Sequence, residues 1–355
     1  MYGLGGAEIM TFQYALEFAR CGWRVFFLTK SGKKISDEFD NQNIKVVTYS
    51  KNNHLKYYIT LFRLISIEKI DVVFFRNNTY TLGIISLFQS LMKFKLVWSV
   101  KHDDKCGVRA ATAKLREINA ESASFLSKIK YNLMDYILQF GVKNAKLILA
   151  QNKYQNKTIS SEFGRASIIN YSSTYIPEYN TVREDIILFI ATMKDFKRPH
   201  LFCEIAGYFS EHQNHFVMIG KNFNDKTKSK FLMKEAKRNN VEYIGQLELD
   251  VVKQYLDKSR LLINTSSAEG FANTFVHAFA HGVPVITSGV DPDNIIEKNR
   301  LGFVCNNGVK EITKKVNHLL ENRSIWKEYS LNCYRYANEN LDIRKSVDNL
   351  QNMFS

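Results

Sequence analysis

Short apolar runs alternate along the whole chain with longer segments in which apolar residues recur every three or four positions. The interiors of the runs are apolar on both faces, which is typical of buried parallel strands covered by helices. This alternation predicts a doubly wound α/β architecture. The predicted strands are residues 23–29, 71–75, 95–100, 145–151, 167–170, 186–192, 215–220, 241–245, 260–266, 283–289 and 302–306.

The pattern also predicts where the chain divides. Residues 7–21 place their apolar positions on one helix face, and Gly22 ends that helix. The stretch 171–185 is polar and irregular and contains Pro177, so we expect a domain boundary there. Two Rossmann-like domains would face each other across a cleft at the carboxyl edges of their sheets. The expected parts are an N-terminal domain in 1–175, a C-terminal domain in 184–340, and a helix in 341–355 that packs back toward the N-terminal domain.

Composition narrows the class of protein. The chain has 355 residues, 45% of them hydrophobic, and its five scattered cysteines show neither a CxxC pair nor a metal-ligand spacing. This indicates a reduced, metal-free protein. The sequence contains no apolar run of about 18 residues, the length that spans a bilayer. We therefore expect a protein that is soluble or peripheral, on the cytoplasmic side.

The charge of the chain is unevenly distributed. Its formal net charge is +14, and residues 1–183 hold 26 Lys and Arg against 14 Asp and Glu. Residues 184–355 hold 23 against 21, so the excess belongs to the first half. A one-sided basic surface attracts nucleic acid or an anionic membrane leaflet. A merely solvated face in a Lys-rich, Asn-rich chain is the open alternative.

The stretch SSAEGFANTFVHAFAHGVPVITSG, residues 266–289, carries the candidate chemistry. It follows one predicted strand, contains a helical segment, and ends in the next strand. Glu269 therefore lies at the carboxyl edge of a parallel sheet, where open α/β folds bind ligands. Its carboxylate could also serve only to cap the helix that follows.

Several stretches together resemble the family 4 glycosyltransferases of GT-B fold. These are GLGGAEIMTFQYALEFARCGWRV near the start, EGFANTFVHAFAHGVPVI from Glu269, and segments 96–104, 147–164, 189–206 and 282–304. The resemblance covers nearly the whole chain. It implies a retaining enzyme that moves a hexosyl or N-acetylhexosaminyl group from a nucleoside diphosphate, with a UDP-sugar favoured, to a saccharide hydroxyl. The implied acceptor is a lipid-linked oligosaccharide of surface polysaccharide or O-antigen synthesis.

The resemblance also implies roles for residues of the reaction centre. Glu269 would face the donor sugar, and His102 would lie near the donor sugar and the acceptor hydroxyl. Lys197 would place a positive charge on the diphosphate, where negative charge grows as the sugar leaves. Backbone groups at two helix starts would add N–H donors to the phosphates; they belong to Gly5 and Gly6 and to Gly270, Phe271, Ala272, Asn273 and Thr274.

Three positions depart from the family pattern. His277 stands where a second glutamate usually holds the ribose hydroxyls, and a neutral imidazole can still form one hydrogen bond per nitrogen. Thr192 stands where an arginine usually contacts phosphate, with Arg198 as a substitute. Met1 lies almost on the glycine pair, so we expect either that the chain is a fragment or mis-started product, or that the N-terminal sheet lacks the family's first strand. The HDD sequence at 102–104 and the DPD sequence at 291–293 are not interpreted as metal sites, and no metal is required.

A second feature of the first half is a stripe of apolar residues with lysines beside it. Within 114–146 these apolar positions repeat at three- and four-residue steps and so form one helix face. We expect the stripe to pack into the N-terminal core, while the flanking cations rest on anionic lipid. The apolar residues are Phe125, Ile129, Leu133, Tyr136, Ile137 and Phe140, and the cations are Lys114, Arg116, Lys128, Lys130, Lys143 and Lys146.

Three other functions remain open at this stage. The chain could be a catalytically weakened glycosyltransferase-like subunit that binds a partner enzyme. It could be a polyanion-binding protein that uses the basic first half, although no motif for reading RNA or DNA supports nucleic acid as a partner. A sugar-nucleotide epimerase of GT-B fold is the third alternative, and it should lack the EGFxNT helix start.

Overall fold

The computed structural model describes residues 6–30, 43–49, 54–76, 80–101, 103, 106–117, 124–209, 214–306 and 308–354. Its contacts divide the chain into two compact units. The N-terminal unit is formed by residues 2–171 together with 346–355, and the C-terminal unit by residues 172–345. Of the predicted site residues, Gly5 and His102 lie outside the described residues, as does Asp104 of the HDD sequence.

The described residues of the N-terminal unit form six parallel strands in two sheets. One sheet pairs β1 with β2, and the other has the order β3-β4-β5-β6. The strands are β1 Val25–Lys30, β2 Ile44–Tyr49, β3 Val72–Phe75, β4 Lys95–Ser99, β5 Leu147–Ala150 and β6 Ile168–Ile169. The helices are α1 Gly6–Arg20, α2 His54–Glu68, α3 Thr81–Met92, α4 Ala110–Glu117, α5 Phe125–Asn144 and α6 Lys153–Phe163.

The last helix of the chain, α14 Ile343–Phe354, belongs by most of its length to the N-terminal unit. The Phe354 ring packs on Phe18 and Trp23, with ring centroids 5.6 and 5.8 Å away. The Ser346 and Tyr14 hydroxyls are 2.9 Å apart, and Ser346 donates a hydrogen bond to Asn170. These contacts attach the end of the chain to α1 and to the segment after β6.

Where the structure describes it, the C-terminal unit has one parallel sheet of six strands, in the order β12-β11-β10-β7-β8-β9. The strands are β7 Ile186–Ile190, β8 His215–Ile219, β9 Val241–Gly245, β10 Ser259–Asn264, β11 Val285–Thr287 and β12 Gly302–Val304. The helices are α7 Pro199–Gly207, α8 Lys226–Arg238, α9 Leu249–Lys258, α10 Asn273–Ala280, α11 Ile295–Lys298, α12 Val309–Glu321 and α13 Arg323–Asn340.

The strand order creates a ligand-binding position by topology. The chain runs from β7 outward to β8 and β9, and then returns to place β10 on the other side of β7. The loops after β7 and β10 therefore leave their strands in opposite directions. In open α/β sheets, ligands bind at the carboxyl edge in the crevice that such a switch point leaves.

All the strands predicted from apolar runs are present, and the α/β prediction is confirmed. The strand β2 was not predicted, because its sequence IKVVTY mixes apolar and polar positions and its side chains are only exposed or half-buried. The prediction that the apolar stripe at 125–140 packs into the core is wrong, since most of its side chains are exposed. Among the described helices, none is both long enough and apolar enough to cross a bilayer.

Candidate active site

The loops after β7 and β10 bring together two residues that lie 72 positions apart in the chain. The Lys197 ammonium contacts the Glu269 carboxylate in an ion pair, at the switch point of the C-terminal sheet. The Lys197 side chain is 19% exposed and that of Glu269 is 13% exposed. The charges are thus largely shielded from water and still reachable from the carboxyl edge.

Glu269 is held by a second polar contact. The Ser266 hydroxyl, directly after β10, donates to Glu269 Oε1 at 2.8 Å. The described hydrogen bonds of the carboxylate go to Lys197 and Ser266, and none of them caps the first turn of α10. The interpretation of Glu269 as a helix cap alone therefore does not fit the geometry.

Arg198, in the loop after β7, forms hydrogen bonds to residues that follow β10 and β11. Its guanidinium donates to the carbonyls of Thr265 and Ser266 at 2.6 and 3.0 Å, and to the Ser288 hydroxyl at 3.2 Å. The Thr265 hydroxyl in turn donates to the carbonyls of Lys197 and Arg198 at 2.7 and 2.9 Å. A phosphate contact from Arg198, as the sequence suggests, remains a prediction, because these donors already have protein acceptors.

The backbone turns sharply at Arg198, between Lys197 and helix α7. Arg198 has φ 48° and ψ 52°, in the left-handed region, and Pro199 begins α7 directly after it. Proline suits the first helical position, because its N–H is absent where no intrahelical acceptor exists. This sharp change from loop to helix points the two consecutive cations to different partners, one to a carboxylate and one to carbonyls.

Helix α10 starts four residues after Glu269. It begins at Asn273, and its N-cap residue Ala272 supplies no side-chain capping bond. The predicted phosphate-binding backbone groups at 270–274 belong to this turn, and the positive end of the helix dipole favours an anion there. Phe271 and Ala272 are buried, whereas Asn273 and Thr274 are half-buried.

The remaining predicted donor residues differ in accessibility. Thr192, two residues after β7, is exposed at the same sheet edge. His277 lies inside α10 with 8% of its surface exposed, and its Nδ1 has no hydrogen-bond partner among the described residues. Gly6 begins α1 in the N-terminal unit. The structure therefore groups Lys197, Arg198 and Glu269, with Thr192 on the adjoining strand end.

Burial controls the protonation of His277. Desolvation, together with the charges of His281 and Lys253, lowers the pKa of His277 from 6.5 to about 3. The imidazole is therefore neutral at physiological pH and can offer a hydrogen bond to a hydroxyl group. Its neighbour His281 has a separate partner, since its Nδ1 lies 2.6 Å from Asp257 Oδ1.

This pKa predicts a pH dependence of stability. Between pH 6.5 and about 3 the unfolded chain binds a proton at His277 that the folded chain excludes, so the free energy of unfolding decreases as the pH falls. The slope from this one group is about 1.4 kcal/mol per pH unit. We expect His277→Gln to remove that slope in urea titrations, while His200→Gln, at an exposed position, retains it. Equal slopes in both variants would contradict the buried neutral imidazole.

Several polar residues of this edge were not among the predicted site residues. Thr265, Ser266 and Ser288 directly follow β10 and β11, and that position after a buried strand was the available signal. In the N-terminal unit, Arg76 directly follows β3 and is half-buried, and desolvation of its guanidinium lowers its pKa. A cation at the end of an apolar strand is the same signal, and it marks Arg76 as a second basic group at a carboxyl edge.

Metal-binding clusters were not expected, and the DPD sequence has another role. The Asp291 carboxylate accepts hydrogen bonds from the backbone N–H groups of Ile296 and Glu297 at 2.9 and 3.2 Å. It therefore caps α11. Within the described part of the chain, three or more His, Cys, Asp or Glu side chains do not come together at a point where they could hold a metal ion.

Most of the C-terminal unit is similar to a known family. Residues 184–322 match the model of the family "Glycosyl transferases group 1". This segment contains both loops of the ion pair and the start of α10. The chain thus carries a glycosyltransferase domain, and the prediction of a glycosyltransferase enzyme is confirmed. A search of curated proteins finds no significant match to the chain.

Solved structures match the chain over nearly its whole length. Anabaena Alr3699/HepE in complex with UDP-glucose has a TM-score of 0.72 and 17% identity, covering 99% of this chain and 97% of that one. A glycosyltransferase from Rickettsia africae has a TM-score of 0.72 and 14% identity, covering 99% and 94%. WaaG, a glycosyltransferase involved in lipopolysaccharide biosynthesis, has a TM-score of 0.67 and 15% identity, covering 100% and 97%. At these identities the likeness shows the fold, and the predicted GT-B fold is confirmed.

Proposed function

We infer that the protein is a retaining family 4 glycosyltransferase that transfers a sugar from a UDP-sugar to a saccharide hydroxyl. The observation that carries this proposal is the Lys197–Glu269 pair at the switch point of the C-terminal sheet, directly before the start of α10. Alr3699/HepE, which has this fold, has been solved with UDP and with UDP-glucose. These complexes support a UDP-sugar as the donor.

The chemistry of the leaving group gives each residue a role. When the bond from the anomeric carbon to the diphosphate breaks, negative charge grows on the diphosphate and positive charge grows on the sugar. Lys197 and the N–H groups at the start of α10 would stabilise the negative charge without a metal. Glu269 would accept sugar hydroxyl hydrogen bonds and stabilise the positive charge.

The ion pair implies an exchange of partners on donor binding. Lys197 and Glu269 neutralise each other, so a diphosphate that attracts the ammonium would release the carboxylate toward the sugar. The acceptor oxygen would then bond to the anomeric carbon, while its proton passes to the departing phosphate oxygen on the same face. No protein nucleophile is assigned. His277, neutral and buried, would hold a ribose hydroxyl.

The proposal also covers the acceptor and the location of the protein in the cell. We assign a lipid-linked oligosaccharide of surface polysaccharide synthesis as the acceptor, and a peripheral location on the cytoplasmic face of the membrane. WaaG, of the same fold, is involved in lipopolysaccharide biosynthesis. All five cysteines are free thiols, which agrees with a reducing compartment.

A donor panel tests the proposed reaction. The protein is incubated with UDP-, GDP-, ADP- and dTDP-sugars, with and without lipid-linked or soluble oligosaccharides, and the released nucleoside diphosphate is measured. We expect release from a UDP-sugar that increases with acceptor and is unchanged by EDTA. An inactive protein that binds a partner glycosyltransferase would favour the subunit alternative. Salt-sensitive nucleic-acid binding without donor turnover would favour the polyanion alternative.

A further inference from the structure

Helix α5 has two apolar faces, and one of them packs inside the N-terminal unit. Helices α3 and α5 cross with their backbones very close together. A Cβ atom added to Gly83 would lie 1.8 Å from the Ile137 carbonyl oxygen, and one added to Gly141 would lie 2.5 Å from the Gly83 nitrogen. Only glycine at both positions allows the backbones to approach this far. This crossing fixes which face of α5 turns inward. The buried residues of α5 are Asp135, Leu138, Gly141 and Val142.

The opposite face of α5 is apolar and exposed. At 3.6 residues per turn, its six large apolar side chains fall within an arc of about 100°, whose middle lies opposite the buried residues. We call these six residues the outer face. An exposed apolar patch of adjacent side chains marks an interaction site, whereas single exposed residues do not. The six and their exposed fractions are Phe125 76%, Leu126 76%, Ile129 48%, Leu133 57%, Tyr136 73% and Phe140 40%.

The charged residues that α5 itself places beside the outer face have one sign. By the same helical geometry, Lys128 and Lys130 lie on the two sides of the arc, and both are exposed. The only acidic residue of α5 is Asp135. Its carboxylate turns inward and accepts hydrogen bonds from the Ala111 and Thr112 N–H groups at 2.7 and 3.0 Å, at the start of α4. The helix therefore presents apolar side chains and lysines outward, and no carboxylate.

We propose that the outer face of α5 is a membrane-docking surface for an anionic leaflet. An amphipathic helix of this kind lies in the interface plane, with its apolar side chains at the head-group boundary. The lysine stems run along the apolar surface while their ammonium groups reach the lipid phosphates. This inference rests on the proposed function, since a lipid-linked acceptor lies in the same kind of surface.

A second copy of the chain is a poorer occupant. Two outer faces packed together would bring Lys128 and Lys130 of both copies into one interface, where like charges disfavour association. Because α5 offers no outward carboxylate, these lysines would have no partner on the facing helix. An anionic leaflet offers an apolar environment to the apolar side chains and phosphate groups to the lysines.

Vesicle sedimentation of the full chain tests the docking surface. We expect binding to phosphatidylcholine vesicles that contain phosphatidylglycerol, weaker binding as salt rises, and none to phosphatidylcholine alone. The variant Lys128→Gln/Lys130→Gln should bind roughly thirtyfold more weakly, from about one surface lysine contribution each. The variant Leu126→Ser/Ile129→Ser/Leu133→Ser should lose at least about tenfold.

Phe231→Ser is the matched control, since Phe231 is 58% exposed on the lysine-rich helix α8 of the C-terminal unit. Binding equal with neutral and anionic vesicles, absent from both, or weakened as much by Phe231→Ser, would overturn the proposal. A dimer that the triple serine variant disperses, without vesicle binding, would instead identify a protein interface.

Thermal unfolding of each variant verifies the fold, and UDP release with a soluble acceptor is measured in the same preparations. Lost docking with normal turnover is the result expected for the variants. Absent turnover in a wild-type chain that binds vesicles would count against the proposed function and leave the docking surface intact.

Discussion

Replacing Glu269 with glutamine will abolish sugar transfer and leave UDP bound at least as tightly as in the wild type. The amide keeps the shape of the side chain and removes the negative charge that would stabilise the sugar cation. Loss of one such electrostatic contribution lowers turnover by about 10³-fold. Single-turnover transfer from the UDP-sugar identified in the donor panel measures this step.

The expected effect on UDP has the opposite sign, and its cause is the ion pair. In the wild type, a diphosphate must compete with Glu269 for Lys197. A weakly exposed pair of this kind contributes about 1 kcal/mol, so its removal should tighten UDP binding by up to about fivefold. Calorimetry of UDP binding measures the change, and Glu242→Gln, at an exposed carboxylate of β9, is the control. Wild-type turnover, or UDP affinity that falls with turnover, would contradict the assigned role.

The sheets were predictable because their strands are buried on both faces. Runs such as Ile186–Ile190 are apolar throughout and can be recognised as strands in the sequence. Strand β2 cannot, because three of its six residues are exposed and its sequence mixes apolar and polar positions. Helix α5 shows where periodicity fails. Its sequence is apolar on two faces, and the pattern alone does not tell which face packs; the close approach at Gly83 and Gly141 decides it.

The candidate site was predictable in position and not in its contacts. Resemblance and strand order place Lys197 and Glu269 at one sheet edge, but the sequence interpretation gave them separate partners, a phosphate and a sugar. Their mutual ion pair depends on loop conformations that have no periodic signal. Arg198 likewise seemed a spare cation, and its left-handed backbone conformation directs it to the carbonyls of Thr265 and Ser266.

Substitutions of the neighbouring cations Lys197 and Arg198 should therefore have different effects: the first on UDP affinity, the second on the free energy of unfolding. Lys197→Met should weaken UDP binding by about 10- to 100-fold, which corresponds to a charged hydrogen bond of 1.5–3 kcal/mol. It should leave the affinity for uridine unchanged, because the nucleoside has no phosphate. Unfolding should change little, since Ser266 still holds Glu269. Calorimetry with UDP and uridine measures this difference.

Arg198→Ala is the comparison, because it leaves buried carbonyl acceptors without their donor. We expect a loss of about 2 kcal/mol in the free energy of unfolding, with any loss of UDP affinity following from the loosened loops. The double variant Glu269→Gln/Lys197→Met should bind UDP as weakly as Lys197→Met, because the tightening by Glu269→Gln requires the lysine. If Lys197→Met instead kept its UDP affinity while Arg198→Ala lost it at unchanged stability, the phosphate contact would belong to Arg198, and the exchange of partners at Lys197 would not operate.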